Sequence, residues 1–182
     1  MEELTQEIVQ ELLHYNPETG VLSWKERDRE LFESDKKWRN WNNKYYGKEV
    51  GSVYKDKRNI YRGFSLFNKT QRVHRVIWLY YYGYWPKIID HINGDGLDNR
   101  ICNIRDVSNQ ENLKNQRKRS NNTSGVLGVH WNKTKDKWQV LIKVDGKAKH
   151  VGFFADIESA AEARKQAEME YGYHENHGRD HS

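Results

Sequence analysis

Three features of the sequence predict an α+β fold. Apolar residues recur at helical spacing in several separate stretches, the first of them TQEIVQELLHY. Short strand-like runs are joined by tight-turn dipeptides such as Asn93-Gly94 and Asp145-Gly146, which favour antiparallel pairing. A polar break, KRSNNTSG, sets off a final segment that reads β-β-β-α. The expected architecture is an N-terminal helix and hairpin region, a central strand–turn–strand–helix (ββα) unit, and a C-terminal three-stranded antiparallel sheet packed on one helix. The expected boundaries are 1–70, 71–119 and 120–178, with 179–182 as a tail.

Taken in order, Ile8, Val9, Leu12 and Leu13 share helical spacing behind Thr5, a plausible N-cap. NPETG breaks that helix and VLSW opens a short strand. Residues 25–48 are charged and Trp/Tyr-rich without clear period, and read as irregular. GKEVGSVY and NIYRGFSLF read as two strands around the turn KDKR. Val73, Val76, Ile77 and Tyr80 mark a helix that Gly83 and Pro86 end, a floor for the segment after it. Residues 88–94 read as strand and turn, and CNIRDVS as the returning strand. SNQENLKNQRK then reads as a helix, since Ser108 has Glu111 three residues on, the capping-box pattern. In the last segment GVLGVHW, KWQVLIKVD and KAKHVGFF read as strands. A helix from Asp156 follows, whose small residues Ala160, Ala161, Ala163 and Ala167 permit close packing on the sheet.

Composition narrows the function. Hydrophobic residues make up 36% of the 182, so several small aromatic-anchored cores are expected rather than one large one, with seven Trp and eleven Tyr as anchors. No apolar run approaches the ~20 residues of a membrane span, and the acidic, amphipathic start does not read as a signal peptide. A single cysteine, Cys102, excludes an internal disulfide and a Cys-based structural zinc site. A cytoplasmic, reducing compartment is the expectation. The net charge of +5 is unevenly placed: residues 113–150 carry ten basic and two acidic side chains, whereas 151–182 carry three and seven. Such a basic stripe is the footprint of a polyanion-binding surface, here nucleic acid.

The stretch DHINGDGLDNRICN, residues 90–103, crowds Asp, His and Asn around a turn. A polar hairpin loop explains it, and so does a hydrolytic site with one metal ion and one general base. Phosphodiester hydrolysis needs an activated water and a cation to neutralise the phosphate and the departing oxygen. Oxygen ligands suit Mg²⁺ or Mn²⁺, and one or two protein ligands suffice because waters and phosphate complete the shell. His91 can take a proton near neutral pH. By strand pleating, Asp90 points to the opposite side unless the strand ends there and twists into the turn.

VHRVIWLYYYGYWPKIIDHINGDGLDNRICNIRDVSNQEN, residues 73–112, resembles the HNH endonucleases of phage and intron-homing type. The resemblance extends upstream through LTQEIVQELLHYNPETGVLSW. It implies a ββα-metal core holding one divalent metal ion, Mg²⁺ or Mn²⁺. Asp90 and Asn112 are implied as metal ligands, His91 as the general base, and Asn103 as the residue that orients the loop carrying that base. Asn112 follows His91 by twenty-one residues and stands where the family often has His. The paired CxxC zinc motifs of many such proteins are absent, so packing by Trp and Tyr must stabilise the unit instead. Arg75, Arg100 and Arg105 are candidate phosphate contacts. Arg100 has an alternative in pairing with Asp98 or Asp106. Asp95 and Asp98 fit turn roles as well as outer-shell ones. His74 either makes a structural hydrogen bond at its helix start, the weightier reading, or approaches the phosphate.

The segment SGVLGVHWNKTKDKWQVLIKVDGKAKHVGFFADIESAAEARKQAE resembles the apetala-two/ethylene-response-factor DNA-binding domain. The resemblance implies a sheet that enters the major groove with the helix behind it. Trp138, Val140, Ile142 and Val144 are expected on the helix side. The candidate DNA contacts are His130, Lys133, Lys135, Gln139, Lys143, Lys147 and His150. Where that family reads guanines with arginine, this sheet carries none, and lysine lacks the bidentate fork, so phosphate anchoring is expected rather than sharp selectivity. The cluster KNQRKRS adds Lys114, Arg117, Lys118 and Arg119 as a phosphate-tracking tether. Together these features predict a metal-dependent DNA endonuclease acting on double-stranded DNA as a monomer or weak dimer in a phage-infected or bacterial host cell. One site per chain predicts nicking. The rival readings are a DNA-binding regulator with an inactive core and an RNA- or structure-specific nuclease.

Overall fold

Thr5 starts the first helix as expected: its hydroxyl accepts from the Ile8 amide, and α1 runs Gln6–Leu12. Leu13 does not continue it. It is extended and fully buried, and it begins β1, Leu13–Asn16, which pairs antiparallel with β2, Val21–Trp24. Strand pairing with VLSW competes successfully for a residue whose spacing is equally helical. The computed structural model describes residues 4–56, 59–115, 118, 122–175 and 177–178, and divides into two compact units, 1–106 and 107–182.

Residues 25–48 correct the sequence expectation. A short 3-10 turn, Arg29–Leu31, is followed by α2, Asp35–Tyr45, which Ser34 caps by accepting from the Lys37 amide. Trp38, Trp41 and Tyr45 recur at helical spacing on its inner side, and Trp41 packs edge-on against Trp24 with centroids 5.7 Å apart. That aromatic period lies within a charged sequence, which obscured it.

The next sheet has three strands rather than two: β3, Ser52–Asp56; β4, Asn59–Leu66; and β5, Lys69–Arg72, in the order β3-β4-β5. The turn into β5 places Phe67 and Asn68 at φ 49° and 60°, the left-handed pair that a two-residue hairpin requires. Phe is unusual there, and KTQR has no apolar alternation, so nothing local announced the third strand. Helix α3, Val73–Tyr82, ends on Gly83 in the left-handed conformation, as the sequence indicates. Its Val73, Val76, Ile77, Trp78 and Leu79 join Val9, Leu12, Leu13, Leu22 and Phe64 in the main core, which Ile104 also enters. Burying each such aliphatic side chain stabilises the fold by about 1.5–3 kcal/mol.

Strands β6, Ile89–His91, and β7, Ile104–Asp106, pair antiparallel with His91 opposite Ile104. The helix of the expected ββα unit, α4, spans only Asn109–Leu113 and belongs to the second unit. Its capping box is formed: the Ser108 amide donates to Glu111 Oε2 at 2.8 Å and the Glu111 amide to Ser108 Oγ at 3.2 Å.

The second unit otherwise consists of β8, Val129–Asn132; β9, Lys137–Val144; and β10, Lys147–Phe154, in the order β10-β9-β8, with α5, Ile157–Glu170, packed on the sheet. Val129, Val140 and Ala160 form its core, with Trp138 and Phe154 against it. Asp156 caps α5 through the Ser159 amide at 2.7 Å. The buried line of α5 also contains Arg164, which donates to the Leu141 carbonyl at 2.6 Å and pairs with Glu168 at 2.8 Å. Gly128 is required here, since a Cβ would stand 2.3 Å from the Leu141 carbonyl oxygen.

Candidate active site

Asp90 and His91 stand on β6, and the loop 92–103 after them carries Asn93, Asp98, Asn99 and Asn103. Asp90, His91, Asn99 and Asn103 are each no more than 8% exposed. Four buried polar side chains in so short a stretch must find partners or lose stability.

Asn103 is the centre of the loop. Its Oδ1 accepts from the Asn93 amide at 3.0 Å, and its Nδ2 donates to Asn93 Oδ1 at 3.0 Å and to the Asp98 carbonyl at 2.7 Å. Its backbone closes the same circuit, accepting from the Ile92 amide at 2.8 Å and donating to the Arg100 carbonyl at 2.8 Å. The turn His91–Gly94 is closed by the Gly94 amide on the His91 carbonyl at 2.8 Å, with Gly94 at φ 74°. One asparagine thus holds both ends of the loop that leaves His91.

His91 Nε2 lies 3.1 Å from Asn99 Oδ1. A carbonyl oxygen only accepts, so this contact puts the proton on Nε2 and the acceptor lone pair of the neutral ring on Nδ1. Burial pushes the His91 pKa down, against the opposing pull of the Asn99 bond and of Asp90, Asp95 and Asp98. Asn99 is the residue that sequence reasoning missed. It is positioned from far away in the chain: the Tyr15 hydroxyl donates to its carbonyl at 2.9 Å, and burial pushes Tyr15 up to about 12, so the phenol remains a donor. Gly20, at φ +75°, allows the β1–β2 turn to approach, since a Cβ there would sit 2.6 Å from the Arg100 nitrogen.

Asp90 is opposite Arg105 in the β6–β7 register, and Arg105 donates to its Oδ2 from Nε at 3.0 Å and from Nη2 at 2.7 Å. Two donors on one oxygen fix the carboxylate's orientation as well as balancing its charge. On the other side, His91 meets His74 edge to face, with ring centroids 5.2 Å apart, and Tyr61 packs against both rings. The structural hydrogen bond expected of His74 is not made by Nδ1, which is buried with no partner. Burial pushes His74 down to about 3, with the neighbouring His91 and two arginines acting in the same direction, so it is neutral near pH 7.

The expected phosphate contacts divide. Arg100 pairs with Asp98, at 2.8 and 2.7 Å, rather than with Asp106, which instead accepts the Lys87 and Ile88 amides. Arg75 donates to the Pro86 and Lys87 carbonyls and lies over the Trp85 ring. Lys114 donates to the Tyr171 carbonyl at 2.7 Å, at the end of α5. Lys118 is partly exposed, and Arg117 and Arg119 lie outside the described residues.

On the sheet, cross-strand register decides which candidates meet. His130 pairs with Gln139, and their side chains touch at 3.1 Å. Lys143 and Leu141 share their face with Gln139, and His150, opposite Leu141, joins it beside Phe153. Lys147 is opposite Val144 and therefore lies on the helix-facing side, away from that group. Lys133 and Lys135 are exposed in the β8–β9 turn, which Asn132 Oδ1 holds by accepting the Thr134 and Lys135 amides.

Asp90 and Asn112 both offer hard oxygen donors, which suit a small divalent cation that keeps most of its waters. Among the described residues no three His, Cys, Asp or Glu side chains gather as a metal-holding group. Asn112 lies in α4 of the second unit, its amide donating to the Ser108 carbonyl at 3.0 Å.

Residues 71–114 match the HNH endonuclease family. The chain is also similar to a protein of Escherichia phage T7 named Protein 3.8, 33% identical over 88 residues that cover 47% of this chain and 73% of that one. No solved structure matches the chain. No helix among the described residues is long and apolar enough to cross a membrane.

Proposed function

The chain belongs to the family of phage T7 Protein 3.8 and carries an HNH endonuclease domain, and on that premise we propose that it is a metal-dependent DNA endonuclease. The observation that carries the reading is the buried pair at the end of β6: a histidine whose tautomer Asn99 sets, next in sequence to a carboxylate that Arg105 orients. A neutral imidazole with its acceptor lone pair on Nδ1 is the state a general base needs near pH 7.

Asp90 and Asn112 would hold one divalent cation, Mg²⁺ or Mn²⁺. When bound, that ion neutralises the scissile phosphate and the departing oxygen. His91 Nδ1 accepts the proton of the attacking water as the new P–O bond forms. Asn99 keeps the other ring proton on Nε2, and Asn103 fixes the loop so that neither group drifts. Arg105 holds the Asp90 carboxylate in one rotamer. The buried ring of His74, with the half-buried ring of Tyr61 against it, shields one side of the base from bulk water.

The functional regions are proposed as 1–70, 71–119 and 120–178. The C-terminal sheet would anchor double-stranded DNA through His130, Gln139, Lys143 and His150 on its open face, with Lys133 and Lys135 at its edge. With one site per chain, a monomer nicks one strand. A phage-infected or bacterial cell is the setting that the family suggests.

The test is supercoiled plasmid incubated with Mg²⁺ or Mn²⁺ and the full chain, beside His91→Ala and Asn112→Ala. The expected result is open circle from the wild type only, abolished by EDTA. Salt-sensitive binding without cleavage, on phage DNA as well, would sink the enzyme reading and leave a DNA-binding protein.

A further inference from the structure

Helix α2 has a composition that its packing does not explain. From Lys36 to Lys48 the chain carries five cations and no carboxylate, between Asp35 and Glu49. No residue of α2 is buried. The helix is nevertheless held firmly along one side. Trp38 Nε1 donates to the Arg27 carbonyl at 2.7 Å, the Arg27 amide donates to Asn42 Oδ1 at 3.0 Å, and Asn42 Nδ2 returns to the Arg27 carbonyl at 3.2 Å. Trp41 adds ring contacts to Trp24, Phe32 and Tyr45, and the Arg27 guanidinium lies over the Trp41 ring at 4.9 Å.

The outward side carries Lys36, Arg39, Asn40, Asn43 and Lys44, all exposed. Lys36, Asn40 and Asn43 have no hydrogen-bond or ion-pair partner for their side chains among the described residues. The acids at the N-terminal end are engaged, Asp35 by Arg29 and, at 3.9 Å, by the exposed Arg39, and Glu33 by Lys37. An ordinary solvated helix face mixes signs and uses its acids in pairs along the helix. Beyond its first turn this helix has no acid to pair with, and its outward face offers cations flanking two amides one turn apart, on a helix of eleven residues, roughly 16 Å long at 1.5 Å per residue.

We infer that α2 is a groove-reading helix for double-stranded DNA, with Asn40 and Asn43 facing base edges and Lys36, Arg39 and Lys44 on flanking phosphates. The major groove is about 12 Å wide and admits one α-helix, and an asparagine amide matches the adenine N6/N7 edge in a bidentate pair. Side chains three apart on a helix face are about 5–6 Å apart, close enough to address neighbouring base pairs. The absence of carboxylates from Lys36 to Lys48 fits a polyanion and disfavours an acidic or purely apolar partner. The inference rests on the DNA-binding half of the function proposed above, and it assigns sequence choice to the first unit, where Asp90 and His91 also stand.

The experiment selects duplexes with a randomised centre on the full-length protein, in Ca²⁺ to suppress cleavage, for wild type, Asn40→Ala/Asn43→Ala, Lys36→Ala/Arg39→Ala/Lys44→Ala and His91→Ala. Alanine at exposed helix positions raises helix propensity, so the asparagine variant retains α2. That is checked by circular dichroism. Wild type and His91→Ala are expected to enrich the same motif. The asparagine variant is expected to lose preference at two neighbouring base pairs, by about 10-fold or more for the best site. The cation variant keeps the motif but binds all duplexes more weakly, with a salt slope shallower by about 1 for each phosphate no longer neutralised. An unchanged motif in the asparagine variant overturns the inference, as does a wild type that enriches nothing or prefers a single-stranded competitor. Plasmid nicking by the same preparations is scored separately. Nicking that needs His91 but not α2 keeps the nuclease and discards the groove reader, and an α2-dependent motif without nicking does the reverse.

Discussion

At the scale of single residues, the proposed role of His91 as base turns on what touches it. Asn99→Ala removes the acceptor that keeps the His91 proton on Nε2, and the nicking rate is expected to fall about 10- to 100-fold. Asn99→Asp still accepts from Nε2 and is expected to recover most of that loss. Comparable losses in both variants, measured as initial rates on plasmid, would mean that Asn99 acts only through the fold. His74 supports a pH prediction. Its folded pKa is about 3 against an ordinary 6.5, so the unfolded chain binds the extra proton between those values. Stability is therefore full above about pH 6.5 and declines as pH falls toward 3. In His74→Leu the fall in melting temperature from pH 7 to pH 4 is expected to be shallower than in the wild type. An equal slope would show that other groups carry the acid sensitivity.

At the scale of elements, the loop 92–103 is a clamp rather than a simple hairpin turn, and Asn103 closes it. Asn103→Ala leaves the Asn93 amide and the Asp98 carbonyl without their side-chain partner, which costs about 1–3 kcal/mol. The expected observation is a lower denaturant midpoint at unchanged m-value, together with slower nicking. Helix α3 meets the strand before this loop through His74 against His91, and Ile77→Ala, fully buried in the main core, should cost about 2–5 kcal/mol by the same measurement. The elements that sequence reasoning missed share a cause. α2 buries no residue and β5 is polar throughout, so neither carries the apolar alternation that betrays an element. The aromatic spacing of Trp38, Trp41 and Tyr45 was present, but within a sequence too charged for a mean pattern to reveal.

At the scale of the whole molecule, charge is the governing quantity. The run of ten basic against two acidic residues in 113–150 predicts strongly salt-dependent DNA binding. Replacing Lys133, Lys135 and Lys143 with alanine is expected to weaken binding to all duplexes. The slope of log affinity against log salt should fall by about 1 for each phosphate that a removed lysine had neutralised. Fluorescence anisotropy on a labelled duplex across a salt series measures both. An unchanged slope would remove the C-terminal sheet from the interface. Lys147 provides an internal contrast: the register puts it on the helix-facing side, so Lys147→Ala should change the slope less than Lys143→Ala.

The sequence by itself determined the α+β class, the capped helices at Thr5 and Ser108, the helix from Asp156, the C-terminal sheet on that helix, and the dense Asp/His/Asn loop. Each of these is a local pattern, written in hydrophobic period, capping residue or turn dipeptide. Only the tertiary structure decided that Asn99 meets His91, because that contact depends on Tyr15 and Gly20, far upstream in the chain. It also decided that Arg100 and Arg105 are tied to Asp98 and Asp90, that Lys114 is spent on the end of α5, and that Lys147 leaves the open face of the sheet. Partner choice among charged side chains turns on small differences in distance between elements remote in sequence. Composition and spacing do not encode those distances.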